Sequence, residues 1–242
     1  MEIAAGWTPV EIGTSRGGLP LIVYEPTHTP IIHGLLIAGM HGEEPETLLL
    51  ARRLLERVDG GDTAWVILPC ANPDGMLAGV RQNAAGVDIN RNFPSTTWRP
   101  EESFTYPPGT QHRKREHRTN RSLPGVSAGS EPETQAIIDL IKRLGPELIL
   151  DLHSPLELIA PTPEADPEIV QRLATAANLT VQPDIGSPTP GALRDWASDN
   201  GIAAITYELE HAPLPALCER HLPGLADLIG KGFERCRKHH SS

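Results

Sequence analysis

Four short apolar runs, Gly34 to Ala38, Ala64 to Leu68, Leu148 to Leu152 and Ile202 to Tyr207, constrain this chain more than any other feature. A strand with one wet face alternates apolar and polar residues. Near-continuous apolar runs of this length belong to strands covered on both faces. The stretches between them carry helical spacing. Leu48, Leu49, Ala51, Leu54, Leu55 and Val58 recur at that spacing, and Gly60-Gly61 is the expected stop. Ile137, Ile138, Leu140, Ile141 and Leu144 do the same ahead of Gly145-Pro146. Ser130-Glu131-Pro132-Glu133 opens that second helix with a cap, a first-turn proline and an acid three residues after the serine. Pro167 to Ala177 predicts a further helix, Gly191 to Ser198 a short one, and Leu214 to Cys236 a last one interrupted near Pro223-Gly224. Ahead of the first apolar run, Val10 to Ile12 and Leu19 to Tyr24 flank Ser15-Arg16-Gly17-Gly18, a hairpin signal. Strands alternating with helices predict an α/β fold with a largely parallel sheet. With no internal repeat and no low-complexity linker, one domain is expected over residues 1–242, the last six of them (237–242) a frayed tail.

Composition narrows the function. A net charge of -10 makes nucleic acid an unsuitable partner. No window approaches the ~20 apolar residues of a membrane span. Met1-Glu2-Ile3-Ala4-Ala5 carries no basic stretch leading into an apolar one, so no export signal is expected. Cys70, Cys218 and Cys236 are scattered and odd in number, which suits a reducing, cytoplasmic setting. Residues 94–130 lack periodicity, and within them the basic run 111–121 is either a solvated loop or a lid that attracts an anionic substrate.

Each apolar run stops at polar residues with chemical potential: His41 and Glu44, the stretch from Asn72 to Arg91, His153, and Glu208. In open α/β sheets ligands bind outside the carboxyl ends of the strands, so these separated segments are expected to share one crevice. His41 and Glu44, three apart at a helix start, fall on one face, where an imidazole and a carboxylate can both reach a Zn²⁺, with His153 as a third ligand. Three protein ligands and an open position describe a catalytic zinc rather than a structural one. Alone, an H-x-x-E is more often a chance pair, and a histidine after a strand more often a hydrogen-bonded surface or cap residue. The loop Asn83 to Phe93 is too polar for core, and its Asn90-Arg91 pair offers a planar fork of donors beside an amide, suited to a carboxylate; a surface loop with salt bridges is the bland alternative.

The motifs His41-Gly42-Glu43-Glu44, Asn72-Pro73-Asp74-Gly75, Arg81, Gly86 to Phe93, Asp151-Leu152-His153 and Thr206-Tyr207-Glu208-Leu209, in this order, resemble the zinc carboxypeptidase (carboxypeptidase A-like) family. Arg16-Gly17-Gly18 is similar to that family's N-terminal segment. The resemblance implies a single domain with a mixed, mostly parallel eight-stranded sheet flanked by helices. It implies one zinc held by His41, Glu44 and His153, with Glu208 as general base and Arg81 polarising the scissile carbonyl. Asn90 and Arg91 then bind the substrate's terminal carboxylate. One departure stands out: no tyrosine lies between residues 107 and 206, and the position of the family's mobile tyrosine falls near Gly186-Ser187.

Within the family, Asn92-Phe93-Pro94 with Trp98, Gly129 to Ala136, and Thr189-Pro190-Gly191 with Trp196 resemble bacterial amidases of cell-wall recycling. Those enzymes split the bond between γ-D-glutamate and meso-diaminopimelate in murein tripeptide. The expected partner is therefore a small peptide, with no nucleic acid and no membrane. Arg194, near the family's specificity pocket, is the candidate for the distal carboxylate of diaminopimelate; an exposed helix arginine is its alternative. Other readings are a metallocarboxypeptidase of ordinary L-peptides, an aspartoacylase-type deacylase, or a binding module that has lost its chemistry. The intact Asn72-Pro73-Asp74-Gly75 and Asn90-Arg91-Asn92-Phe93 favour a peptidase over a deacylase. The presence of His41, Glu44, His153 and Glu208 argues against a binding module.

Overall fold

The computed structural model describes residues 2–28, 31–101, 103–104 and 121–232. All but the last residue of the basic run 111–121 lie outside them, as do Cys236 and the tail 237–242. The hairpin forms as expected, from β1 (Trp7–Thr14) and β2 (Pro20–Pro26). The four apolar runs become β3 (Gly34–Ile37), β4 (Trp65–Leu68), β7 (Leu148–His153) and β10 (Ala203–Glu208). Two short pieces that the patterning did not announce, β8 (Leu158–Pro161) and β9 (Thr180–Val181), complete an eight-stranded mixed sheet in the order β1-β2-β4-β3-β7-β10-β8-β9. Its centre, β4-β3-β7-β10, is parallel. A separate small ladder pairs β5 (Ser103–Phe104) with β6 (Arg121–Ser122).

Alternation along the central strands sends side chains to two apolar layers. Leu36, Leu150, Leu152, Ile205 and Tyr207 pack with α1 (Pro45–Arg57), α4 (Pro167–Ala177) and α6 (Leu214–Asp227). Leu35, Ile37, Ile149 and Ala204 face α3 (Pro132–Leu144) and α5 (Leu193–Asp199). By the two-residue period, Asp151, His153, Thr206 and Glu208 share that second face. Each fully buried aliphatic side chain in these layers contributes roughly 1.5–3 kcal/mol. No helix among the described residues is long and apolar enough to cross a membrane.

Several local expectations are corrected. α1 ends at Arg57 with Val58 already extended, so the glycines beyond it form a separate 3-10 turn rather than its cap. The predicted box at the start of α3 does not close. Its N-cap is Glu131, Ser130 gives its hydroxyl to that residue's carboxylate, and Glu133 accepts instead from the Arg16 amide and from Asn83. α6 runs through Pro223, and the irregularity falls later, in a π-helical turn at Leu228–Gly232. Asn72-Pro73-Asp74-Gly75 is more than a turn: Asn72 caps a short helix, α2 (Pro73–Ala78), by accepting from the Gly75 amide, with Pro73 in its first turn.

Candidate active site

β3, β7 and β10 end side by side, and the residues just beyond their carboxyl ends build one cavity. Glu208 is the register partner of His153 across the parallel β10-β7 pair, so the last residues of both strands stand together. From β3 the chain turns through Gly39 and Met40 to His41, and the Glu44 amide bonds back to the His41 carbonyl at 3.1 Å. Glu44 is the N-cap of α1, so a tight turn brings His41 and Glu44 together rather than a helical face. That turn lies against the loop after β4. A Cβ on Gly42 would sit 1.9 Å from the Gly75 carbonyl carbon, so only glycine permits this approach.

His41, Glu44 and His153 are buried and converge. His41 Nδ1 lies 2.9 Å from Glu44 Oε1, and His153 Nδ1 lies 3.2 Å from both His41 Nδ1 and Glu44 Oε2. Ligands about 2.0–2.1 Å from a tetrahedral centre are roughly 3.3 Å apart, so this trio has the spacing a zinc site needs. The remote nitrogens strengthen the case. His41 Nε2 is 3.2 Å from Asp88 Oδ1, and His153 Nε2 is 2.8 Å from Asp151 Oδ2. Each carboxylate takes an Nε2 proton and leaves the Nδ1 lone pair pointing inward. Two lone pairs and a carboxylate facing one another are mutually repulsive until a cation sits between them. In the metal-free chain a proton on His153 takes that cation's place. Burial works against the charged form of Glu44, but His41 and His153 hold it well below the usual carboxylate range. Burial likewise opposes a charged His153, yet Asp151 and Glu44 hold it well above the ordinary histidine range.

Asp88 links the metal trio to the arginines. Its carboxylate accepts from Arg81 Nε at 2.7 Å and from the Asn90 amide at 3.0 Å, besides facing His41. Arg81 is buried, and Asp88 and then Glu44 raise its affinity for the proton against the effect of burial. Asn83 shapes the loop that delivers these residues, accepting from the Ala85 and Val87 amides and donating to Glu131 and Glu133. Asn92, beyond it, bonds to the carbonyls of Pro124 and Ser127 and to the Glu131 amide. The stretch Asn83 to Phe93 is therefore fixed on both sides.

Arg91 is the most telling residue here. It is 1% exposed, its Nη1 donates to the Asn90 carbonyl at 2.6 Å, and its Nε and Nη2 have no partner among the described residues. Burial, with Arg81 close by, pushes its pKa down to about 10. Buried guanidinium donors left unpaired are costly, and an anion is what satisfies them. Asn90 Oδ1 accepts from the Leu193 amide at 2.8 Å, while its Nδ2 rests 3.2 Å from His153 Nε2. Because that ring nitrogen gives its proton to Asp151, this is a contact, and both Nδ2 hydrogens stay free for a ligand.

Glu208 lines the same cavity as the metal trio, Arg81, Asn90 and Arg91, and one of its oxygens accepts from the Leu156 amide at 3.2 Å. Burial, reinforced by Glu44 and opposed by His153, pushes its pKa up to about 7. Arg194 is on the wall too, with Nη2 donating to the carbonyls of Pro161 and Pro183, so it also ties down the segment before α5. Thus His41, Glu44, Arg81, Asn90, Arg91, His153, Arg194 and Glu208 all border one cavity. Among the described residues no tyrosine lines it; Ile185 and Thr189, which flank Gly186-Ser187, do. Sequence reasoning missed the orienting acids Asp88 and Asp151. For Asp151 the signal was available, since an acid two residues before His153 on the same strand shares its face.

The zinc carboxypeptidase family model matches residues 7–219. Murein peptide amidase A of Escherichia coli (strain K12) is 33% identical over 217 residues, covering 90% of this chain and 87% of that protein. The crystal structure of murein-tripeptide amidase from Escherichia coli O157 superposes with a TM-score of 0.83 at 31% identity, covering 93% of this chain and 92% of that one. Bovine thrombin-activatable fibrinolysis inhibitor, at 19% identity and a TM-score of 0.72 over 92% of this chain and 88% of that one, shares the fold.

Proposed function

Because the chain belongs to the zinc carboxypeptidase family, we propose that it is a zinc-dependent amidase that releases a residue with a free α-carboxylate from a small peptide. The bond we assign is that between γ-D-glutamate and meso-diaminopimelate in murein tripeptide, as in the named activity of its murein-tripeptide amidase relatives. The observation that carries the reading is Arg91: two buried, unpartnered guanidinium nitrogens on the wall of a cavity that also holds the His41–Glu44–His153 trio. A terminal carboxylate fits the first, and hydrolysis of the adjoining amide fits the second. We extend the proposal to a cytoplasmic reaction in the recycling of cell-wall peptides.

In this reading His41, Glu44 and His153 hold the metal, which when bound supplies Lewis acidity and a water whose pKa falls toward 7. Glu208, poised near neutrality by burial, takes a proton from the attacking water and returns it to the leaving amine. Arg81, its charge secured by Asp88, faces the oxygen that gains charge as the carbonyl is attacked. Arg91 and the free N–H groups of Asn90 fix the α-carboxylate, which places the scissile bond. Arg194 meets a second carboxylate farther along the released residue.

The test is turnover by chelated and zinc-reloaded protein on L-Ala-γ-D-Glu-meso-diaminopimelate, on an α-linked L-peptide and on an N-acyl amino acid. Zinc-dependent hydrolysis fastest on the first is expected, and faster cleavage of either other substrate removes the murein assignment. His41→Ala should lose zinc while keeping its far-UV circular dichroism; full zinc retention there removes the metal assignment.

A further inference from the structure

The same cavity contains another buried polar side chain with an atom left unpartnered. Asp151 is 4% exposed; its Oδ2 accepts from His153, but its Oδ1 is buried without a hydrogen-bond partner among the described residues. Orienting a histidine needs one oxygen, so the other is left over. Its place in the sheet gives it a direction. Thr206 pairs in register with Asp151 as Glu208 pairs with His153, and all four side chains line the cavity. Asp151 and Thr206 therefore form the layer beneath the reacting groups, about 6–7 Å deeper along the strands. A released residue anchored by its α-carboxylate on Arg91 has only its side chain to send toward that floor.

We propose that Asp151 is a specificity residue whose free oxygen receives an ammonium group on the side chain of the released amino acid. This rests on the reading that Arg91 holds that residue's α-carboxylate. A neutral aliphatic side chain would cover Oδ1 and leave it unsatisfied, and an acidic one would meet like charge. An ammonium brings three donors to one point and satisfies the oxygen without disturbing the bond to His153. Arg194 complements it on the same wall. Its Nη2 is committed to two backbone carbonyls, while Nη1 bonds to nothing among the described residues and can meet an anion. One acid and one arginine together match a side chain that ends in a zwitterion, as the distal centre of diaminopimelate does.

The experiment compares four released residues on two acyl groups. Diaminopimelate, lysine, aminopimelate (distal carboxylate without the ammonium) and norleucine (neither charge) are each joined to L-Ala-γ-D-Glu and to an α-linked benzoylglycyl group. Wild type and Asp151→Asn are assayed, and the asparagine keeps an acceptor for His153 while removing the charge. Wild type should favour the two ammonium-bearing residues over the counterparts that lack the ammonium by about tenfold or more, mainly through KM. Asp151→Asn should erase that ratio: whatever turnover all four substrates lose together through His153, diaminopimelate and lysine should lose about tenfold more than aminopimelate and norleucine. Equal losses on all four residues would make Asp151 an orienter of His153 and overturn the proposal, as would an unchanged ratio. Binding of free lysine against free norleucine to the wild-type holoenzyme, by calorimetry, tests the preference without any variant; equal affinities also overturn it. Should the benzoylglycyl series be cleaved faster, the murein substrate falls, but the ammonium ratio is still read within that series. Should amidation of the α-carboxylate leave turnover unchanged, the Arg91 reading fails on its own.

Discussion

Replacing Glu208 by glutamine should stabilise the metal-free protein while abolishing catalysis, and the stabilisation should depend on pH. In the folded chain burial raises the Glu208 carboxyl from 4.5 to about 7. Between those values the unfolded chain has released its proton and the folded chain has not, so stability falls as pH rises. A difference of about 2.5 units corresponds to ~3 kcal/mol. The loss is under about 1 kcal/mol at pH 5 and nearly complete at pH 8. Glutamine is close to isosteric, can still accept from Leu156 and carries no charge, so the variant escapes this cost. Titrating groups remote from Glu208 are common to both proteins and drop out of the comparison. The assay is urea denaturation of chelated wild type and Glu208→Gln at pH 5 and pH 8. The gap in favour of glutamine should widen by about 2–3 kcal/mol on going to pH 8, or roughly 4–12 °C in Tm for a chain of this size. A gap of the same size at both pH values would refute the argument, because the buried carboxyl would then not be protonated in the folded state. Zinc should narrow the gap, since a cation beside Glu208 favours its carboxylate.

The geometry leads to two other outcomes. Arg91→Ala should lower kcat/KM on a free α-carboxylate substrate by one to two decades, in line with the ~1.5–3 kcal/mol of a charge-assisted contact, and scarcely touch an amide-capped one; if the two losses simply add, Arg91 does not hold that carboxylate. Gly42→Ala would drive a methyl into the Gly75 backbone and should cost about 1–3 kcal/mol or more together with zinc affinity, measured by denaturation and metal titration; wild-type values in both would mean that the two loops can part freely.

The parts of the fold visible in the sequence were those whose burial is uniform. β3, β4, β7 and β10 carry near-continuous apolar runs because helices cover both faces. β8 and β9 escaped notice for the opposite reason: the one is four residues ending in proline, the other two exposed residues, and neither has room for a period. α2 was hidden because Asn-Pro-Asp-Gly is as good a turn as it is a helix start, and only the contact with Gly42 decides between them. The candidate site residues were legible because His41, Glu44, His153 and Glu208 each stand at or beyond the end of a buried strand. What was not legible was pairing. That Asp88 serves both Arg81 and His41 depends on a loop folding back across the strand ends, and no local pattern encodes such a meeting.

His41 and His153 are 112 positions apart along the chain yet their Nδ1 atoms are 3.2 Å apart. They meet because β3 and β7 are adjacent parallel strands, so the proposed metal shell is complete only after non-local sheet assembly. A nascent or unfolded chain offers at most the His41-Glu44 half of the shell and cannot compete for zinc. Metal occupancy is thereby an index of native folding, and every free ion acts on the folding equilibrium by mass action, adding about 4 kcal/mol when zinc stands a thousandfold above its dissociation constant. Cells short of zinc would then lose the protein as well as its turnover, since the emptied chain unfolds more often and is more readily degraded.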